Sequence, residues 1–183
     1  MAYDLPERWV STETDASMAE QSITVSIVIP FYNEYESLNA VCSEVLAVFG
    51  EYGDISWELV MVDDGSTDGT AEAIDKLVQG RKHLRAIHIH PHSGQSAALE
   101  AGFRAARGEY IATLDGDGQN DPRDILSLFD AMRQRGVDMM CGIRQRRADT
   151  LIRRLSSRVA NRVRSSVLKD NITDVGCSVR VFR

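Results

Sequence analysis

Carboxylates and an amide are closely spaced in one short segment of this 183-residue chain, directly after an apolar run. Asp115 and Asp117 lie two positions apart, and Gln119 follows at the same spacing. If the preceding strand extends through them, the two carboxylates point the same way. Such oxygen ligands suit Mg²⁺ or Mn²⁺, with phosphate and water filling the remaining positions. The segment therefore predicts a divalent-metal site on Asp115, Asp117 and Gln119.

Two adjacent acids, Asp63 and Asp64, end another apolar run. Neighbouring strand residues alternate sides, so one carboxylate can point over the sheet edge and the other into the turn. Asp64 could accept the imino N–H of uracil or guanine. The alternative is ordinary turn chemistry, in which Asp68 or Ser66 caps the helix that follows.

An aromatic ring and a carboxylate follow the first apolar run. Tyr32 can stack on a base, and Glu34 can accept a hydrogen bond from ribose or base. The alternative is a plain turn with Glu34 in the first turn of a helix, where the helix dipole favours it. The turn has no GxGxxG, which disfavours a dinucleotide-binding Rossmann site. The chain has no GxxxxGK[ST], which excludes a P-loop NTPase.

Three alternating histidines, His88, His90 and His92, precede a turn that leads into a helix. The segment supplies no further metal ligands, so we expect solvated or core histidines rather than a metal site. The amides at the start of the helix could face an anion.

Five strand-like runs alternate with amphipathic stretches from Ile23 onwards, and both faces of the strands are apolar. The runs are ITVSIVIP, WELVMV, LRAIHIH, EYIATLD and VDMMCGI. This alternation predicts an α/β fold with a mostly parallel sheet flanked by helices, in which ligands bind at the carboxyl ends of the strands. Residues 1–21 are polar, aperiodic and carry five acids, which predicts a flexible tail before a domain over 22–183.

Charge is strongly polarised along the chain. Residues 133–183 hold 13 Arg or Lys and four acids, a net +9, which leaves −15 for residues 1–132. Leu151, Leu155, Val159 and Val163 are spaced one turn apart among arginines, which predicts a basic amphipathic helix. This helix can lie on an anionic membrane surface or pack on the sheet with its arginines in water.

The compartment is indicated by what the sequence lacks. The chain has no secretion signal and no apolar run of the roughly 18 residues that a membrane helix needs. Its three cysteines are widely spaced, which favours a reducing cytoplasm. We expect no nucleic-acid partner. A nucleic-acid binder would show affinity that falls steeply with salt and needs no divalent metal.

Several segments together resemble the family 2 glycosyltransferases, most of all their polyprenyl-phosphate, dolichyl-phosphate mannose synthase-like branch. They are IPFYNEYESL, VMVDDGSTDGT, SGQSAALEAGFRAARGEYIATLDGDGQNDP, CGIRQRR and DVGCSVRVFR. The resemblance runs from about Ile23 to the last residue and implies a GT-A fold with a divalent cation, Mg²⁺ or Mn²⁺. It also implies inverting transfer of a sugar from a GDP- or UDP-linked donor to a polyprenyl phosphate.

The resemblance carries roles over residue by residue. The nucleotide-sugar contacts match Pro30, Tyr32, Glu34, Val62, Asp64, Asp115, Gly116 and Asp117, and the metal ligands match Asp115, Asp117 and Gln119. Arg144 matches a basic residue near the diphosphate or the acceptor phosphate, and with Arg146 or Arg147 it would hold the acceptor phosphate. Asp174 matches an acidic residue of a later active-site motif. In a second reading the acceptor is a saccharide hydroxyl, and Asp174 is the carboxylate base that this chemistry needs.

Members of the resembled family continue beyond the matched segment into further basic contacts and an interfacial helix or membrane segments. This chain stops at Arg183, inside an expected strand. The resemblance therefore implies a C-terminally incomplete catalytic domain that works peripherally at the cytoplasmic face of a membrane.

Overall fold

Seven strands form a single sheet in the computed structural model of the chain, which describes residues 9–11, 22–53, 55–143 and 177–183. The strands are β1 (Trp9–Ser11), β2 (Val25–Phe31), β3 (Trp57–Asp63), β4 (Leu84–Ile89), β5 (Tyr110–Thr113), β6 (Met139–Cys141) and β7 (Arg180–Phe182). The helices are α1 (Tyr35–Glu51), α2 (Thr70–Val78), α3 (Gln95–Ala105) and α4 (Arg123–Arg135).

The order of strands across the sheet is β1-β4-β3-β2-β5-β7-β6. Strands β4, β3, β2 and β5 run parallel, whereas β1 is antiparallel to β4 and β7 is antiparallel to both β5 and β6. The chain builds outward from β2 to β4 and then crosses back to place β5 on the other side of β2. Such a reversal of strand order opens a crevice for ligands at the carboxyl ends of the two diverging strands.

Alternation along β2 sends its side chains to two separate cores. Ile27 and Ile29 pack in the larger cluster, with α1, α2 and α4, while Val28 faces α3 on the other side of the sheet. Helix α1 buries residues at the spacing of a single stripe, namely Leu38, Val41, Cys42, Val45 and Phe49. Truncating Leu38 to alanine would cost about 2–5 kcal/mol of unfolding free energy.

Helix α3 lies unusually close to the sheet because its buried side is made of small residues. Ala98 and Ala101 are buried there, and a Cβ built on Gly102 would overlap Val28 and lie 3.1 Å from Val62. This close approach explains the small residues on the buried side of the helix, Ala98, Ala101 and Gly102.

Strand β1 lies within residues 1–21, the segment predicted to be a flexible tail. Trp9 pairs with Ile89 and Ser11 with Ile87. The physical reason is that the free edge of β4 offers unpaired backbone groups, which an extended segment can satisfy without any apolar period of its own. The rest of the tail lies outside the described residues.

Two predicted strands are shorter than their apolar runs. Strand β5 ends at Thr113, so Asp115 lies in the turn beyond it, and β6 covers only three residues of the predicted 137–143. The last residues do form a strand, β7, as expected. Among the helices that the structure describes, no apolar stretch is long enough to cross a membrane.

Candidate functional site at the carboxyl edge of the sheet

The predicted site residues follow the carboxyl ends of the parallel strands. Phe31 is paired with Asp63 between β2 and β3, and Val28 is paired with Thr113 between β2 and β5. The turns after these three strands therefore emerge at one edge, as the alternating pattern predicts. This edge is where the strand order reverses.

Asn33 fastens the turn after β2 to the turn after β3. Its backbone N–H donates to Ser66 Oγ at 2.9 Å, and its Oδ1 accepts from the N–H of Thr67 at 2.8 Å. Asn33 has φ 55°, a left-handed conformation that asparagine tolerates better than most residues. Ser66 is thereby used between turns and does not cap α2 as one reading of the sequence suggested.

Asp68 links the first residues of two helices. Its Oδ2 accepts from the N–H of Tyr35 at 3.1 Å, and its Oδ1 accepts from the N–H of Thr70 at 3.0 Å. The N-cap position of α2 is Gly69, one residue beyond the predicted cap. Burial opposes the charge on Asp68, but hydrogen bonds from the Thr70 hydroxyl and from backbone N–H groups hold the pKa of this carboxyl below its usual range.

Ser37 connects Glu34 to the Asp-x-Asp turn. Its hydroxyl lies 2.6 Å from Glu34 Oε2 and 2.8 Å from the carbonyl oxygen of Gly116. One hydroxyl donates a single hydrogen bond at a time, so these two acceptors compete for the same proton. Sequence reasoning missed Ser37. Its position three residues after Glu34, one helical turn away, is the local signal.

Gly116 lies where the Asp-x-Asp turn passes over the end of β2. A Cβ on this residue would be 2.6 Å from Phe31 Cδ1 and 2.9 Å from the carbonyl oxygen of Pro30. Only glycine allows this close backbone approach. The residue between the two aspartates is therefore fixed by packing.

Asp115 and Asp117 make separate contacts because the strand ends before them. Asp115 Oδ1 accepts from Gln95 Nε2 at 3.0 Å, at the first residue of α3. Asp117 is exposed, and its Oδ1 accepts from the N–H of Gln119 at 3.0 Å. The same-side alignment was expected only if the strand extended through both residues, and β5 ends at Thr113.

The turn that carries Asp115 and Asp117 offers oxygen ligands of the kind that suit a metal ion whose other ligands are phosphate oxygens. No group of three or more His, Cys, Asp or Glu side chains in the described part of the chain is arranged to hold a metal by itself. Mg²⁺ is commonly bound by one or two carboxylates, with substrate phosphates and water as the other ligands. The exposed carboxylate of Asp117, next to Asp115, fits that mode of binding.

The carboxylate of Asp64 is buried, with 2 % of its side chain exposed. Its Oδ1 accepts from the N–H of Ser93 at 2.8 Å and its Oδ2 from the N–H of Gly94 at 2.7 Å. These amides precede α3 and are the ones that the sequence suggested would face an anion. The anion that the structure shows there is the protein's own Asp64.

Tyr32 is half-exposed and stacks on His92. The ring centroids are 3.8 Å apart and the planes are inclined by 20°. His92 Nδ1 also lies 2.9 Å from Asp64 Oδ2 and 3.0 Å from the Asp64 carbonyl oxygen. The structure thus brings Tyr32 and Asp64 together through a residue to which the sequence assigned no role.

His88 lies between two carboxylates behind this turn. Its Nε2 is 3.0 Å from Asp75 Oδ1 and its Nδ1 is 3.5 Å from Asp63 Oδ2. The hydrogen bond to Asp63 raises the pKa of His88, burial opposes this, and Asp75 adds to it. Burial opposes the charge on Asp63, but hydrogen bonds from His88 and Ser66 hold its pKa below the usual range.

One predicted site residue is buried at this edge, and others lie outside the described residues. Val62 is fully buried in the small core beneath α3, so its side chain does not reach the surface. Arg144, Arg146, Arg147 and Asp174, and the predicted basic helix, lie outside the described residues. Their proposed roles stay predictions.

The chain is similar to known proteins along most of its length. Residues 26–183 match the model of glycosyl transferase family 2. A dodecaprenyl-phosphate galacturonate synthase of Rhizobium johnstonii is 40% identical over 166 residues, which are 89% of this chain and 48% of that protein. An undecaprenyl-phosphate 4-deoxy-4-formamido-L-arabinose transferase of Pectobacterium carotovorum is 36% identical over 167 residues, which are 91% of this chain and 50% of that protein.

A solved structure shares the fold at lower identity. A mannosyltransferase from Pyrobaculum calidifontis, in complex with GDP-Man and Mn²⁺, is 24% identical, with a TM-score of 0.55 over 66% of this chain and 35% of that one. The chain spans about half the length of the curated relatives named above.

Proposed function

The chain belongs to glycosyltransferase family 2, and we propose that it is the catalytic part of an enzyme that transfers a sugar to a polyprenyl phosphate. Its predicted α/β fold of the GT-A type, with a mostly parallel sheet, is confirmed. The proposal rests on one observation. The three turns that follow β2, β3 and β5 carry acidic residues and emerge at the edge where the strand order reverses. Support for the acceptor comes from the two curated relatives, both of which are named for a polyprenyl phosphate.

The donor is a nucleoside-diphosphate sugar in this proposal. Tyr32 offers a half-exposed ring for the base, and Asp64 offers an acceptor for a base N–H. Glu34, whose Oε2 lies 2.6 Å from the Ser37 hydroxyl, would accept a hydrogen bond from ribose or base. Pro30 and Gly116 form the narrow contact that brings the Asp-x-Asp turn over β2. Uracil and guanine both carry the imino N–H that Asp64 would accept, so UDP- and GDP-linked donors both fit.

A divalent cation, Mg²⁺ or Mn²⁺, belongs to the same proposal. Asp117 would hold it, with Asp115 and Gln119 as neighbouring oxygen donors. When bound, such an ion acts as a Lewis acid that stabilises the negative charge of the leaving nucleoside diphosphate. The exposure of Asp117 supports this role because phosphate oxygens can then share the ion.

The acceptor phosphate needs little activation. Its second pKa is roughly 6, so near pH 7 it is already an anionic nucleophile. Its oxygen forms the new bond to the anomeric carbon of the sugar. The bond from that carbon to the diphosphate breaks, and the diphosphate leaves with the electron pair. In-line displacement inverts the anomeric carbon. Arg144, with Arg146 or Arg147, would hold the attacking phosphate.

The working location in this proposal is peripheral, at the cytoplasmic face of a membrane. A polyprenyl phosphate is an anionic lipid, and the net +9 of residues 133–183 would favour an anionic surface.

A binding panel followed by a transfer assay tests the proposal. UDP- and GDP-sugars are screened by thermal shift with and without Mn²⁺, since a ligand at a hundredfold excess over Kd should stabilise the fold by about 2.7 kcal/mol. The stabilising donor is then assayed with polyprenyl phosphate and with saccharide acceptors. Failure of every nucleotide to bind would refute the donor site. Transfer to a saccharide alone would favour the reading in which Asp174 is a base.

A further inference from the structure

We propose that the imidazole of His92 occupies the position of the donor's base and must swing out before the donor binds. The inference rests on the proposed function, because it concerns the same base site. Two contacts were expected of a bound base: a stack on Tyr32 and an N–H donated to Asp64. His92 makes both.

The first contact is the ring stack. The His92 and Tyr32 planes are nearly parallel, at 20°, with centroids 3.8 Å apart. Bases stack on exposed aromatic side chains in the same face-to-face manner. The face of Tyr32 nearest Asp64 is therefore already covered by a ring.

The second contact is the hydrogen bond to Asp64. His92 Nδ1 lies 2.9 Å from the carboxylate Oδ2 and 3.0 Å from the backbone carbonyl oxygen of Asp64. Both neighbours are acceptors, so Nδ1 carries the hydrogen and donates it. An aromatic ring N–H facing a carboxylate is also what the imino N–H of uracil or guanine would supply.

The side chain can leave without dismantling the turn. The Asp64 carboxylate keeps the N–H groups of Ser93 and Gly94, and the backbone of His92 lies against Gly65. The His92 side chain is itself 46% exposed, so rotation about its side-chain bonds carries the ring into solvent. This rotation uncovers one face of the Tyr32 ring and frees a lone pair on the Asp64 carboxylate.

His92 then acts as an internal competitor that lowers the affinity of every donor. Every donor must displace His92 and so replace its stack on Tyr32 and its hydrogen bond to Asp64. A base with an N–H at the right edge replaces both, whereas adenine and cytosine present an acceptor there and replace only the stack. Removing the ring should therefore strengthen the binding of every donor by a similar factor, because the cost of displacing His92 is common to all bases.

Three His92 variants separate the ring from the hydrogen bond. His92→Ala removes both, His92→Asn keeps a donor group without a ring, and His92→Phe keeps a ring without an N–H. With Mn²⁺ present, His92→Ala and His92→Asn should each bind the nucleoside diphosphate about three- to tenfold more tightly than wild type, the factor expected from removing a stacked aromatic pair. His92→Phe should gain less affinity than His92→Ala, because only the hydrogen bond to Asp64 is lost and a ring still covers Tyr32.

Two controls identify where any change arises. Pyrophosphate with Mn²⁺ lacks a base, so its affinity should be the same for all variants. His83→Ala changes an exposed histidine that contacts Trp57 at the opposite edge of the sheet and should bind the nucleotide like wild type.

Each result decides between the alternatives. Unchanged or weaker nucleotide binding in both His92→Ala and His92→Asn would overturn the inference while leaving the donor site intact. An equal gain for pyrophosphate would also overturn it, because the effect would not arise at the base. If neither wild type nor any variant binds a nucleoside diphosphate, the proposed donor site fails, and this inference fails with it.

Discussion

The carboxylate of Asp64 accepts the backbone N–H of Gly94 at 2.7 Å, so the N-terminus of α3 already faces an anion. A helix N-terminus that would otherwise suit a phosphate is thus occupied by a buried side chain of the protein. A diphosphate bound at this edge therefore needs another source of positive charge. In the proposed function, a cation at the turn of Asp115 and Asp117 would supply it.

Replacing Asp64 tests its link to the base. Asp64→Asn keeps the size of the side chain but loses the charge and one acceptor, so it should weaken UDP and GDP binding and alter the preference between bases. The loss of hydrogen bonds at a buried site should also lower the unfolding free energy by about 1–3 kcal/mol. Titration calorimetry and urea unfolding measure the two effects. Equal losses of affinity for UDP, GDP and ADP would show that Asp64 only shapes the turn.

Replacing Asp117 tests the cation. Asp117→Asn should lower Mn²⁺-dependent nucleotide affinity by about tenfold or more, in line with changes around metal sites. It should leave the melting temperature unchanged because the residue is exposed and lies outside both cores. Asp138→Asn is a matched control because Asp138 is also an exposed aspartate. This change should leave Mn²⁺-dependent nucleotide binding unaltered. Wild-type Mn²⁺ dependence in the Asp117 variant would show that the metal is held elsewhere.

Gly116 provides a purely steric test of the same turn. In Gly116→Ala the new Cβ meets the Phe31 ring and the Pro30 carbonyl, which should cost about 1–3 kcal/mol of stability and weaken donor binding. Gly50→Ala in α1 is the control, since nothing lies within 4 Å of its added Cβ. That change should be neutral or stabilising by about 0.5–1 kcal/mol. Equal stability of the two variants would contradict the packing argument.

Local pattern was enough to predict the strands and the acidic turns, because both depend on neighbouring residues. The nearly continuous apolar runs of β2 and β3 follow from burial on both faces, and acids follow those runs closely. Contacts between distant segments were not predictable in the same way. Ser37 meets Gly116, 79 positions away, and His92 meets Asp64, 28 positions away. Neither pair leaves a period or a spacing in the sequence.

Strand ends were the least predictable local feature, and they changed the site. The apolar run of β5 continues to Leu114, which is buried, yet the backbone pairing of the strand ends at Thr113. Burial of a side chain and membership of a strand are separate properties, since a turn residue can also pack in the core. Asp115 and Asp117 would point the same way only if the strand extended through them, so its end at Thr113 changes their arrangement.

His88 and its hydrogen bond to Asp63 predict an effect of pH on the unfolding free energy. The pKa of His88 is raised, chiefly by its hydrogen bond to Asp63, so its contribution is fully present below about pH 6.5. That contribution is lost as the pH rises through the raised pKa of the folded state. The unfolding free energy of wild type should therefore exceed that of His88→Gln by more at pH 6 than at pH 9, measured by urea titration.

His83 supplies a control of opposite sign for the same measurement. Burial lowers the pKa of His83, and Arg81 lowers it further. Its protonation therefore opposes folding, and the stability of wild type relative to His83→Gln should fall as the pH drops through 6.5. A stability difference for His88→Gln that does not change with pH would show that folding does not raise the pKa of the imidazole.

The acceptor side of the proposed reaction is tested at Arg144. Arginine holds a phosphate through two parallel N–H donors on a fixed charge, which glutamine cannot replace. In the complete protein, Arg144→Gln should therefore keep donor binding and lose most transfer to polyprenyl phosphate. Arg104→Gln is the control, because Arg104 is exposed on α3 and pairs only with Glu100 among the described residues. Sugar transfer by Arg144→Gln at the wild-type rate would remove Arg144 from the acceptor site. Loss of donor binding together with transfer would instead place it at the diphosphate, on the donor side of the same edge.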